Sequence, residues 1–180
     1  MKKTILFLLA VTLNTLLFAQ HYTPTDNKSS VNFAIKNFGM LVNGTFTGLS
    51  GDIQFNPSEL GKATFNVSVD AASVNTGNGS RDSHLKKDDY FDVAKHPKIS
   101  FVSTKVTTSN KAGILFIFGN LTIKGVTRTV SFPFTATPVQ DGMFFAGSCK
   151  LNRRDFGVGS NSLVLSDKLT LNLAVFAKKN

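Results

Sequence analysis

The sequence predicts an all-β fold, an antiparallel barrel of about eight strands with one short helical insert. Apolar and polar residues alternate with a period of two in most segments; within residues 30–36, for example, Val31, Phe33 and Ile35 face one way. Turn signals such as Asp141-Gly142 separate the segments at the spacing typical of antiparallel barrels and sandwiches. The outward positions carry Lys, Asn, Thr and Ser, whereas an outer-membrane barrel would be apolar outside. We therefore expect a barrel with an apolar interior.

Two of the predicted strands contain an irregularity. Between Phe46 and Leu49 the apolar face changes parity, which requires a bulge or kink, and Gly48 can supply it. Pro133 lies inside another strand and has no N–H to donate, so we expect an unpaired or bulged position there. The predicted strands cover residues 30–36, 44–55, 63–70, 99–106, 114–123, 127–136, 144–151 and 168–177.

The segment from Arg81 to Pro97 is the one long stretch that resembles neither a strand nor a turn. Asp89 is placed to cap a short helix over residues 90–94, and Pro97 prevents its continuation. An insert of this kind either closes one end of a barrel or holds residues that do chemistry.

The first 19 residues have the pattern of a secretory signal peptide. Lys2 and Lys3 precede an apolar run that ends near Ala19, and the run is shorter than a membrane-spanning helix needs. We therefore expect a signal peptide over residues 1–19, one domain over residues 20–180, and a periplasmic or secreted protein. Cys149 is the only cysteine, so no internal disulfide can form, and its inward parity predicts a small apolar filler.

Composition limits the partners. The formal charge of +9 comes without basic and aromatic clusters, so nucleic acid is not expected. The charge fits either a solvated basic surface or a transient contact with an anionic membrane surface. The chain has 17 Phe, 2 Tyr and no Trp, and rings without a polar group belong in space that excludes water. Either a solid core of rings or a hollow lined with rings fits this composition. A homodimer also stays open.

The insert contains the residues that an enzyme would use. His84 with Asp82 or Asp88 is the acid–base pair that we consider as an alternative function, acting on a lipid-like substrate. No metal-ligand spacing and no nucleophile elbow accompany it, so we predict no metal, no cofactor and no enzymatic activity. The structural alternative is that Arg81 and Asp82 tie the insert to the rim and His84 binds a backbone carbonyl. For Arg153-Arg154-Asp155 we expect an ion pair at a strand end in preference to a rim guanidinium for an anionic head group.

Four stretches together resemble the YceI family of exported lipid-binding proteins. They read VNGTFTGLSGDIQF from Val42, SVNTGNGSRDSHLKKDDYFDVAKHPKISFVST from Ser73, GNLTIKGVTR from Gly119 and LNRRDFGVG from Leu151. The resemblance implies a lipocalin-like antiparallel barrel that is hollow along its axis and closed at one end by the helical insert. It also implies a long-chain isoprenoid or other amphiphilic lipid, such as a quinone tail, as the ligand.

This resemblance favours the hollow interior over the solid one. Many members carry a histidine near the barrel mouth where this chain has Asn37, so a charged imidazole is absent there, and Lys36 or Arg128 would have to replace it. The predicted mouth or lid residues are Phe38, Tyr90 and Phe91. The predicted wall residues are Phe33, Ile35, Phe46, Phe55, Phe65, Phe101, Phe134 and Leu171. A filled barrel that acts as an interaction module is the third hypothesis.

Overall fold

The computed structural model describes residues 20–180, in which ten antiparallel strand segments form one sheet that closes on itself. The predicted signal peptide lies outside the described residues. The helix α1 covers Gly79–Leu85, and short 3-10 turns cover Leu60–Lys62, Ala71–Ser73 and Arg153–Phe156. The strands are β1 His21–Pro24, β2 Ser30–Asn37, β3 Met40–Phe46, β4 Ser50–Gln54, β5 Thr64–Asp70, β6 Lys98–Thr108, β7 Leu115–Ile123, β8 Val126–Val139, β9 Gly142–Asn152 and β10 Leu165–Lys179.

The ten segments make an eight-stranded barrel. β4 to β10 pair in sequence order, and the free edge of β10 pairs with β2 along most of its length and with β1 at its end. β2 pairs with β3, and β1 pairs with β4, so β1 and β2 form one interrupted strand and β3 and β4 form another. The predicted antiparallel barrel of about eight strands is confirmed.

The two interruptions lie next to each other and share one hydrogen-bonding side chain. Asp26, between β1 and β2, accepts hydrogen bonds from the backbone N–H groups of Gly48 and Leu49, each at 2.9 Å. Gly48 has φ of +75°, a conformation that glycine adopts without steric cost, and the kink predicted there is confirmed. The sequence pattern does not detect β1, because four residues are too few to establish a period.

The helix of the insert lies earlier in the chain than predicted. α1 begins after Asn78, whose side chain accepts a hydrogen bond from the backbone N–H of Arg81 at 3.0 Å. The predicted helix over residues 90–94 is wrong, because these residues form consecutive turns in which Asp92 has φ of +47°. The carboxylate of Asp89 binds His84 and caps no helix.

The barrel wall separates between β8 and β9. β8 pairs with β7 over Val126 to Phe134, but it pairs with β9 only from Phe134 onward. The separation therefore ends directly after Pro133, whose nitrogen has no hydrogen for a ladder. Pro133 itself pairs with Phe116 of β7 and has no partner in β9, so the prediction of an unpaired position holds on the β9 side alone. A slit there separates the first half of β8 from the second half of β9.

Two apolar clusters fill the barrel unequally. The larger one is centred on phenylalanine rings at the end that holds β1, β4 and the β8–β9 hairpin. The smaller one contains Val31, Phe46, Val69 and Val74 and lies beneath the insert. Within residues 20–180 no helix has the length and apolarity that crossing a bilayer requires.

Candidate ligand-binding cavity

A cavity of about 980 Å³ occupies the half of the barrel that lies beneath the insert. This volume is at the upper end of the range of about 300–1,000 Å³ for small-molecule sites. Its wall consists mainly of inward aliphatic side chains from seven strands, which reach less far toward the axis than rings do. They are Val31, Ile35, Val67, Val69, Ile99, Leu121, Ile123, Val130, Leu151, Leu169, Leu171, Leu173 and Val175.

The other half of the barrel is solid. Phe55, Phe65, Phe134 and Phe145 pack so that every pair of ring centroids lies between 5.3 and 6.5 Å apart, and most pairs are edge to face. Phe55 is 1% exposed. The prediction that Phe55, Phe65 and Phe134 line the cavity is therefore corrected. Their rings contact one another and close the end of the cavity that lies away from the insert.

The remaining wall predictions agree with the cavity lining. Phe33, Ile35, Phe46, Phe101 and Leu171 border the cavity. The ring of Phe33 lies over Gly44, its cross-strand partner in β3, where any side chain would collide with it. Whether these five residues contact a ligand stays a prediction.

The mouth predictions divide. Tyr90 and Phe91 of the insert border the cavity, and the Phe91 ring packs edge to face on Phe46 with 5.5 Å between centroids. Phe38 does not border the cavity; it lies at the tip of the β2–β3 hairpin with its side chain in solvent.

The end of the cavity beside the insert is open to solvent. Exposed lining residues come from α1 and the following turn, or from the loop before β10; they are Asn78, Ser80, Ser83, His84, Lys87 and Val164. The opposite end is filled by the four packed rings.

Hydrogen bonds fasten the insert across the gap between β3 and β5. Asp82 accepts from both the backbone N–H and the hydroxyl of Thr76, at 2.9 and 2.5 Å. The Arg81 guanidinium donates to the hydroxyl of Thr76 at 2.7 Å and to its carbonyl at 3.0 Å. Thr45 and Asn75 exchange two backbone hydrogen bonds, which attach this loop to β3. The predicted role of Arg81 and Asp82 in tying down the insert agrees with these contacts.

Arg153 holds the loop before β10 against the end of β9. Its side chain is 4% exposed, and it donates to the carbonyl groups of Val158, Ser160 and Ser166 and to the carboxylate of Asp167 at 2.7 Å. The expected ion pair at this strand end does form, but its acid is Asp167 of β10 and its base is a buried Arg153. Arg153 is buried because it continues the inward parity of Cys149 and Leu151. That parity was the signal that could have identified Arg153 as buried.

The acid–base pair considered for an enzyme does not form. His84 contacts Asp89, with 2.9 Å from Nε2 to Oδ2, and neither Asp82 nor Asp88 is its partner. The backbone-carbonyl partner expected for His84 is wrong for the same reason. The hydrogen bond from His84 lowers the pKa of Asp89. Both side chains are half in solvent, where a charge pair contributes little.

Four further residues that the sequence analysis considered can be placed relative to the cavity. Cys149 is 6% exposed and borders it, and burial raises the pKa of its thiol. Asn37 borders it near the mouth, whereas Lys36 and Arg128 lie outside the lining. Within residues 20–180, no group of three or more His, Cys, Asp or Glu side chains could hold a metal ion.

Comparison with known proteins gives consistent family matches. A family profile described as the YceI-like domain matches residues 22–177. A UPF0312 protein of Vibrio parahaemolyticus is 30% identical over 146 residues, which cover 76% of this chain and 77% of that protein. A UPF0312 protein of Shewanella denitrificans is 31% identical over 154 residues, which cover 82% of this chain and 80% of that protein.

Solved structures share the barrel. The Campylobacter jejuni YCEI protein has a TM-score of 0.68 at 29% identity, covering 77% of this chain and 85% of that one. BcnA of Burkholderia cenocepacia has a TM-score of 0.78 at 24% identity, with 83% and 96% covered. A polyisoprenoid binding domain from Saccharophagus degradans has a TM-score of 0.72 at 16% identity, with 91% and 100% covered. At their low identities, the last two establish a common fold alone.

Proposed function

Because the chain belongs to the YceI-like domain family, we propose that it is an exported carrier or binding protein for a long-chain amphiphile. The class of ligand is a polyisoprenoid, a quinone tail or a fatty amphiphile. One observation carries the proposal: a cavity of about 980 Å³ with a mainly apolar wall, filled at one end and open at a polar mouth. The polyisoprenoid binding domain from Saccharophagus degradans shares this fold, so a barrel of this architecture is compatible with such a ligand.

Burial of the tail would supply most of the affinity. Each CH₂ group removed from water contributes roughly 0.8 kcal/mol, and this contribution has no preferred direction. Ligand affinity should therefore depend on chain length more than on head group. The head group would lie among Asn37, His84 and Lys87 at the mouth.

The polar groups of the insert support binding in preference to catalysis. Asp82 and Arg81 direct their hydrogen bonds to Thr76, in the loop that precedes α1. His84 binds Asp89, and not Asp82 or Asp88, with which it would form the acid–base pair considered for an enzyme. These side chains stabilise the loop that surrounds the mouth, and no described feature favours a second function.

A cavity-blocking variant tests the proposal. Leu171→Trp projects an indole into the hollow, whereas Val102→Trp adds the same ring to an exposed position of β6 and serves as the matched control. We expect native mass spectrometry to detect a co-purified or added amphiphile on the parent and on Val102→Trp, with retention at least ten times lower on Leu171→Trp. Thermal unfolding monitored by circular dichroism checks that all three fold.

A parent protein that is repeatedly recovered empty and ignores added polyprenols, quinones and fatty amides would contradict the proposal. Equal retention by Leu171→Trp and the parent would place any bound lipid outside the cavity. Export is tested separately by N-terminal sequencing of the chain recovered from the periplasm or the medium, and cleavage after Ala19 is the expected result.

A further inference from the structure

Exposed apolar side chains concentrate at one place on the surface of the described residues. Seven large apolar side chains are strongly exposed within residues 20–180, and five of them come from two short segments beside the cavity mouth. We name these five the rim patch. They are Phe38 (70% exposed), Met40 (70%), Leu41 (61%), Leu163 (105%) and Val164 (41%).

The two segments form one continuous surface. The backbone N–H of Phe38 donates to the carbonyl of Val164 at 2.9 Å, and Asn37 pairs with Leu165 across β2 and β10. The β2–β3 hairpin tip and the loop before β10 are therefore joined by backbone contacts. Contiguous exposed apolar surface of this kind marks an interaction site, unlike scattered single residues.

Phe38, at the tip of the β2–β3 hairpin, has a backbone conformation that phenylalanine rarely adopts. Phe38 and Gly39 have φ of +50° and +76°, as in a two-residue turn whose first position favours Asn or Asp. A bulky ring at positive φ is strained and gains nothing from burial, since 70% of it is in solvent. Because this backbone strain at Phe38 is not offset by burial of the ring, we infer that a function maintains phenylalanine at this position.

The rim patch has a basic border. No acidic residue lies between Asp26 and Asp52, a stretch that contains Lys36 beside the hairpin tip. Arg154 binds Asn161 in the loop before β10, at 3.3 Å. The exposed acids beside this loop are Asp155 and Asp89; the backbone carbonyl of Asp89 accepts a hydrogen bond from the N–H of Gly159 at 2.8 Å, and its carboxylate binds His84. Asp167 is engaged by the buried Arg153. Apolar side chains bordered by Lys and Arg match the interface of a bilayer that contains anionic lipids.

The rim patch borders the cavity mouth. Asn37, Val42, Ser162 and Leu165 line the cavity, and they alternate along the chain with rim-patch residues. A bilayer in contact with the rim patch would therefore face the opening. A tail could move between bilayer and cavity without crossing water.

We propose that the rim patch inserts into the surface of a bilayer containing anionic phospholipids and orients the cavity mouth toward it. The purpose of this docking, exchange of an amphiphile, rests on the proposed function; the docking itself does not. The β2–β3 hairpin tip is the apolar anchor, and Lys36 and Arg154 contact the lipid phosphates.

Vesicle co-sedimentation tests the docking. The parent is expected to bind vesicles of equal parts phosphatidylglycerol and phosphatidylcholine, and to bind phosphatidylcholine vesicles at least ten times more weakly. The variant Phe38→Asn/Leu41→Ser/Leu163→Ser should lose at least ten-fold in partitioning to the anionic vesicles. It should fold normally, because Asn suits the turn and the replaced side chains are exposed.

The matched control is Val102→Ser/Val139→Ser, which removes the two exposed apolar side chains away from the mouth. It is expected to bind vesicles as the parent does. A charge variant, Lys36→Gln/Arg154→Gln, should weaken binding to anionic vesicles and lower its salt dependence. Equal vesicle binding by the parent and the three-residue variant, or none by the parent, would overturn the proposal.

Two added measurements separate this proposal from its premise. Ligand retention by native mass spectrometry should be unchanged in the three-residue variant, since none of its positions borders the cavity. Vesicle binding by a parent that holds no amphiphile would leave docking standing and refute the carrier. Light scattering tests whether a second copy of the chain occupies the rim patch instead. If the parent is a dimer, the three-residue variant is a monomer and the parent does not bind vesicles, the rim patch serves self-association and docking is refuted.

Discussion

The two halves of the barrel differ in how their interiors are occupied. In the packed half, four phenylalanine rings meet at the axis and leave no space. In the hollow half, most inward positions hold Val, Ile or Leu, and a cavity of about 980 Å³ remains. The same strands pass through both halves, so the reach of the inward side chains decides whether the barrel is filled.

The two halves also differ in what stabilises them. Ring packing and burial stabilise the packed half. The hollow half lacks contacts across its axis and relies on polar fastening at its edge, through Arg153, Asp82 and the backbone exchange between Thr45 and Asn75. A binding cavity therefore depends on hydrogen bonds that a filled core would not need.

The largest expected effect is a truncation in the packed half. Phe55→Ala removes a ring that contacts three others and should lower the free energy of unfolding by about 3–5 kcal/mol. Leu171→Ala in the hollow wall should lose only about 2 kcal/mol, because its side chain already borders empty space. Urea denaturation measures both, and equal losses would mean that the two halves are packed alike.

The next effect is in the polar fastening. Arg153→Met keeps much of the side-chain volume but leaves three carbonyl groups and the Asp167 carboxylate without their donor. We expect a loss of about 2–3 kcal/mol. Native-state hydrogen exchange should show the loss of protection confined to residues 153–169, with the ring cluster unaffected. Arg154→Met, an exposed neighbour, is the control and should cost little.

A smaller effect depends on pH and reports on the hollow half. Burial raises the pKa of Cys149 above its unfolded value of about 8.5. The unfolded chain therefore releases this proton first, and the stability contribution present below pH 8.5 declines as pH rises above it. Cys149→Ala should abolish that decline in urea titrations between pH 7 and pH 10.

The same thiol provides a probe of occupancy. As the single cysteine and a lining residue, Cys149 should react slowly with a maleimide, faster as pH rises, and at least ten times more slowly after an amphiphile is added. An unchanged rate of maleimide labelling after the amphiphile is added would show that the ligand does not reach the middle of the hollow half.

The smallest effect is expected at the rim. His84→Ala breaks the exposed contact with Asp89, so unfolding and amphiphile retention should be unchanged within error. The one visible change should be a rise in the pKa of Asp89 toward its ordinary range, measured by NMR, because the hydrogen bond that lowers it is gone. Loss of a lipid-modifying activity in His84→Ala would instead revive the enzymatic alternative.

Sequence patterns located the strands well and the interior poorly. The period of two, the parity change resolved at Gly48 and the interruption at Pro133 all derive from local backbone geometry, and the structure agrees with them. The position of the helix in the insert does not follow from the sequence, because Asn78 and Asp89 are both residue types that can cap a helix. In the structure Asn78 caps α1, whereas the carboxylate of Asp89 binds His84. The burial of Arg153 was not predicted, because a charged residue is usually exposed, although its parity along the strand points inward.

From the sequence alone, the family, the approximate strand number and the inward face of most strands could be determined. Each depends on neighbours in the chain, since alternation and turn chemistry act over a few residues. Only the tertiary structure decided which inward rings fill the barrel and which line the cavity. Phe46 and Phe55 point inward alike, but the depth at which each meets the axis depends on strand register around the closed barrel, and that is set by contacts between residues far apart in the chain.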